Sequence, residues 1–104
     1  MLFVLMTPLF AQLSLAATPP KVDVSCAKVA LSAIYGAEKS HHAEYNFYSD
    51  SFDAIGYVPE PQERCAGWKS EVRVFNGGKE FLAECSHPSG KRFTINDRKE
   101  LKEE

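Results

Sequence analysis

The sequence predicts an α+β fold in which one N-terminal amphipathic helix packs on a small antiparallel sheet of three to four strands. Three patterns point there. Between Cys26 and Tyr45 apolar side chains recur at Ala27, Ala30, Leu31, Ile34, His41 and Tyr45, roughly one face of a 3.6-residue period. From Trp68 to Phe75 and again from Lys79 to Ser86, apolar and charged residues alternate about an Asn76-Gly77-Gly78 turn, the mark of a hairpin. After His87-Pro88-Ser89-Gly90 the segment Lys91 to Asn96 repeats the alternation, with Phe93 and Ile95 inward.

The chain begins with MLFVLMTPLFAQLSLAA, an uncharged apolar run ending in small residues, with Ser14 and Ala16 placed as in a signal-peptidase site. Residues 1–16 are therefore expected to be a secretory leader. The run is shorter than the roughly 20 apolar residues a spanning helix needs, and Pro8 and Gln12 interrupt it. No membrane span is expected once it is removed. Residues 17–24, with Thr18-Pro19-Pro20, read as an extended spacer. Residues 25–104 form the one domain that a chain of 104 residues can support.

Asp23 or Ser25 can cap the helix by accepting from its free N–H groups. Gly36 inside it implies either a bend or a close neighbour. The stretch from Asn46 to Asp53 is rich in turn-forming and aromatic residues, and Ser49-Asp50 can cap a short helical turn over Phe52 to Ile55 that Gly56 stops. Pro59, Pro61 and Gly67 mark a loop carrying Cys65. The charged tail from Asp97 has room for a short β-contact through Leu101. The expected core is Leu31, Ile34, Tyr45, Ile55, Trp68, Val72, Val74, Phe81, Ala83, Phe93 and Ile95.

Composition narrows the function. Twelve basic and 14 acidic side chains are interspersed for a net charge of −2, which leaves no long basic surface for nucleic acid. Three cysteines in an exported chain allow one bridge and one leftover thiol. With Asn76-Gly77 at the hairpin tip, Cys85 falls across from Trp68, near Cys65. That geometry favours a Cys65–Cys85 bridge, with a pairing through Cys26 as the alternative.

No catalytic constellation is evident. His41-His42 with Glu44 invites a metal, but adjacent helical residues point about 100° apart and further ligands are lacking. No metal and no cofactor are expected. Cys85 near His87 is a weak nucleophile–base pair, and Cys26 near a helix start can be reactive. The readable surface features are the aromatics Tyr45, Phe47 and Tyr48, and Phe75 with Leu82 on the polar face of the hairpin, all candidates for protein contact.

Two segments carry a resemblance. AIYGAEKSHHAEYNFYSDSFDAIGYVPE is similar to the end of the helix and the following loop of type IV pilins. FLAECSHPSGKRFTINDRKELKE resembles the closing strands of such heads and of the pseudopilins of type II secretion. Together they span about half of the chain. The resemblance implies a non-enzymatic, exported head domain, periplasmic or secreted, that acts as a structural or interaction component, with pilus or secretion-system proteins as partners. The sequence lacks the Gly-Phe-Thr-Leu-Ile-Glu type motif and the apolar stem that such proteins use to build a filament, so a soluble version is expected. The alternative is a small secreted ligand- or metal-binding protein using His41/His42 or a free cysteine.

Overall fold

The computed structural model describes residues 22–59, 61–62 and 64–104. The expected leader, and the spacer up to residue 21, lie outside the described residues. Helix α1 (Val24–Tyr45) is followed by the single turn α2 (Phe52–Ile55) and then by β1 (Lys69–Phe75), β2 (Glu80–Ser86), β3 (Arg92–Asn96) and β4 (Leu101–Glu103). The sheet order is β1-β2-β3-β4, and every neighbouring pair is antiparallel. Helix α1 lies across β2 and β3, so the expected α+β architecture is present, with four strands.

Local chemistry sets the boundaries. The Asp23 carboxylate accepts from the Ser25 N–H at 3.0 Å and opens α1. Asn46 closes it in the left-handed region (φ 68°), its N–H returning to the His42 carbonyl. Helix α2 is capped by Ser51, one residue beyond the expected Ser49-Asp50, through a 3.3 Å bond from the Ala54 N–H. Gly56 stops it at φ 73°. Helix α1 runs uninterrupted through Gly36, which is exposed with open space around it and no close neighbour. At the far end of the sheet, the Asn96 side-chain carbonyl accepts from the N–H groups of Arg98 and Glu100, both at 3.0 Å. That turn returns the chain as β4 beside β3.

The buried face is the one the alternation predicts. Phe81, Ala83 and Cys85 from β2, Val72 from β1 and Phe93 and Ile95 from β3 meet Ala27, Ala30, Leu31 and Ile34 of α1. Trp68 joins them, while Val74 and Ile55 are only half buried. Tyr45 departs from expectation: it is 54% exposed, because the chain turns away at Asn46 and leaves its outer side open.

The hairpin register differs from the expected one. Cys85 stands opposite Ser70, not Trp68, and Phe75 opposite Glu80. A two-residue Asn76-Gly77 turn would require Gly78 to be a strand residue. Instead Gly78 has φ 89°, which closes a wider Asn76–Gly78 turn of the 3-10 type. Its carbonyl accepts the Tyr48 N–H at 2.8 Å. Because the register moves by two residues, the same side chains still face the core.

Gly78 is also where the helix end meets the hairpin tip, since a Cβ built there would lie 2.8 Å from Phe47 Cβ. Gly78→Ala is therefore expected to lower stability by about 2 kcal/mol, through positive φ and this contact together. Urea unfolding of the purified variant measures it. A loss below about 0.5 kcal/mol would mean that the tip is not clamped.

The disulfide joins Cys26 to Cys65, with a Cα–Cα distance of 5.7 Å. The expected Cys65–Cys85 pairing is thereby corrected. Two causes are visible. The register shift carries Cys85 further from the loop, and Cys65 sits in a tight turn, its N–H bonded to the Pro61 carbonyl, against the first turn of α1. Cys85 is a free thiol, 1% exposed, with Ser70 Oγ at 3.6 Å.

Candidate functional site

The aromatic turn after α1 is built from the last turns of the helix and the chain that folds back over them. His41, Tyr45 and the turn residue Phe47 form a stack, with ring centroids 4.6 Å apart for His41–Tyr45 and 5.1 Å for His41–Phe47. His41 is buried, and its Nδ1 lies 2.9 Å from the Phe47 carbonyl. A carbonyl only accepts, so Nδ1 carries the proton and the ring is locked in place.

Tyr48 turns the other way, into the core. Its ring meets Phe81 edge-on at 4.8 Å and lies on His42 at 4.5 Å, and its hydroxyl accepts from Lys39 Nζ at 2.8 Å. Tyr48 is therefore a buried anchor, not a surface residue. Tyr45 and Phe47 remain on the surface, at 54% and 46% exposure.

Beneath this turn lies a charged residue on the buried face of α1. Glu38 is fully buried, one helical turn after Ile34 and just before His41. Its Oε1 accepts the Ser49 N–H at 2.9 Å, whereas Oε2 has no partner among the described residues. Burial pushes its carboxyl above the ordinary range. The Ser49 bond and His41 oppose that rise, and Asp50 adds to it. Glu38 thus ties the aromatic turn to the helix. The signal was available, because 38 continues the stripe 27, 31, 34, 41 at helical spacing.

The remaining candidates lie on the outer face of the sheet. Phe75 is 43% exposed opposite Glu80, and Leu82 is half buried between Arg73 and Asn96. The five expected contact residues therefore do not form one patch. Tyr45 and Phe47 stand together, Phe75 and Leu82 share the outer face, and Tyr48 belongs to the core.

For chemistry, the histidines do not converge, since His41 is held by Phe47 and His42 lies on Tyr48. Among the described residues no three His, Cys, Asp or Glu side chains are placed to hold a metal ion. The Cys85 thiol is pushed up by burial, with Glu84 adding to this and Ser70 opposing it, which disfavours the nucleophilic thiolate. His87 is engaged elsewhere: its Nδ1 accepts the Ser89 N–H at 3.0 Å and its ring lies on Trp68. A cavity of about 270 Å³ beside the disulfide is bounded by Tyr57, Gln62, Trp68 and Ser70 at the opposite end of α1 from the aromatic turn. Among the described residues no helix is long and apolar enough to cross a membrane. No family model, curated protein or solved structure matches this chain.

Proposed function

We propose that this chain is an exported, non-enzymatic, pilin-like domain that acts as a structural or protein-interaction component of a type IV pilus or type II secretion system. The observation that carries the reading is the pair Tyr45 and Phe47. Two large aromatics are exposed together yet held rigid by His41 and Gly78, so a partner covering them would gain apolar burial at little cost in side-chain entropy. The α+β head, with a helix leading into an antiparallel meander, supports the pilin-like part of the reading, as do the two resembling segments. A disulfide between Cys26 and Cys65 is compatible with an oxidising compartment, and in this reading the protein works in the periplasm or after secretion. No cofactor and no nucleic acid take part.

Site-specific photocrosslinking in the producing cell tests this. A crosslinker at Phe47 is expected to capture a pilus or secretion-system protein, whereas one at Ser32, exposed on α1, captures none. Equal yields from both sites, or no envelope protein from Phe47, would reject the reading.

A further inference from the structure

Strand β1 forms one edge of the sheet, and it is the long edge: seven residues, against three in β4 at the other side. Among the described residues, no hydrogen bond reaches the Ser70–Val74 backbone from that side. Unpaired N–H and C=O groups in a row are a template for a further strand. Charged side chains ordinarily protect such an edge, and β1 carries Lys69, Glu71 and Arg73 on its outer face. These charges differ from those of Lys91 and Arg92 at the other side of the sheet. Arg92 is bridged to Glu84 and Glu104, and Lys91 to Glu103, whereas no ion pair engages Lys69, Glu71 or Arg73 among the described residues.

The order of these charges makes the edge complementary to itself. Two copies of β1 set antiparallel about a twofold axis must keep their outer residues on one side, so the register can change only in steps of two. In the register of full overlap, Val72 meets Val72, Glu71 of each copy meets Arg73 of the other, and Lys69 meets Phe75. Opposite charges then face each other twice, and each exposed Phe75 ring receives a cation. The neighbouring registers set Glu71 against Glu71 or Arg73 against Arg73, which is repulsive. Helix α1 does not stand in the way, because it covers β2 and β3.

We propose that β1 pairs edge to edge with β1 of a second copy in this register, joining two four-stranded sheets into one of eight. The inference goes beyond the proposed function and does not depend on a partner at Tyr45 and Phe47. The partner is the chain itself, recognised by backbone pairing and by two Glu71–Arg73 pairs.

Sedimentation equilibrium of the exported protein, recovered with its native N-terminus, supplies the test. The wild type is expected to be a dimer. Glu71→Arg and Arg73→Glu, each at an exposed position, are each expected to raise the dissociation constant by about tenfold or more, since each replaces two attractive pairs by two repulsive ones. The double variant Glu71→Arg/Arg73→Glu restores opposite charges and is expected to return to within about threefold of wild type. Circular dichroism confirms that each variant is folded. A wild type that stays monomeric to the order of 100 μM overturns the proposal. So does a dimer that ignores the single substitutions, or one that the double substitution fails to restore.

Discussion

Replacing Cys26 and Cys65 together by alanine is expected to lower the unfolding free energy by about 4 kcal/mol. The bridge closes a loop of 39 residues, and the chain entropy it removes from the unfolded state grows with the logarithm of that length. A domain of this size buries a modest core, so the loss is a large fraction of its total stability. Cys85→Ala should cost only about 1 kcal/mol, because it trims a small buried side chain and cuts no crosslink. Urea denaturation of the two variants separates the cases. If Cys85→Ala proved the more damaging, or if non-reducing peptide mapping joined Cys65 to Cys85, the connectivity described above would be wrong.

Glu38 provides the second large effect, and its sign runs against that of most carboxylates. Its folded pKa lies above the ordinary glutamate value of 4.5, chiefly because burial disfavours the charged form. Between the unfolded and folded values the native state therefore binds more protons than the unfolded chain. The stabilising contribution is complete below about pH 4.5 and is lost as pH rises through the folded value. Glu38→Gln keeps an acceptor for the Ser49 N–H without a titrating charge, so the fall in urea midpoint across this window should flatten. Glu38→Ala should cost about 2–3 kcal/mol below about pH 4.5, since it leaves the Ser49 N–H unpaired and opens a cavity, and less as pH rises through the folded value. An unchanged pH profile in Glu38→Gln would show that Glu38 does not govern this dependence.

What could be read from the sequence was what periodicity controls. Leu31 and Ile34 on the helix, and Phe81, Ala83, Phe93 and Ile95 on the strands, face the core because spacings of 3.6 and 2 place them there. The charged tail pairs as β4 through Leu101, as a lone apolar residue in a polar segment suggested. What failed depended on contacts distant in sequence. Whether Asn76-Gly77 or the wider turn closes the hairpin is decided by Tyr48, whose N–H takes the Gly78 carbonyl from about 30 residues away. The cysteine pairing depended on that same register and on where the loop meets the start of α1.

At the candidate site, Tyr45 continues the helical stripe but is 54% exposed, while Tyr48, beyond the end of the helix, is buried. Both outcomes follow from the left-handed turn at Asn46, a reversal that periodicity does not register. Glu38 is the opposite case. Its spacing marked it as inward, and its chemistry argued it outward. Spacing prevailed because the folded-back turn offered it a backbone donor.

The crosslink between the first turn of α1 and the loop before β1 also decides how the domain would carry mechanical load. Tension applied at the two ends of the described chain enters near Val24, crosses the sulfur–sulfur bond at Cys26, and leaves through Cys65 toward the sheet. Most of α1, the aromatic turn and α2 lie in a side branch that bears none of it. Roughly 130 Å of extended chain is thereby withheld from stretching for as long as the bond is intact. Under pull the sheet would give way first, and with it the Gly78 contact that holds Phe47, while the chain behind the bond stayed unstretched.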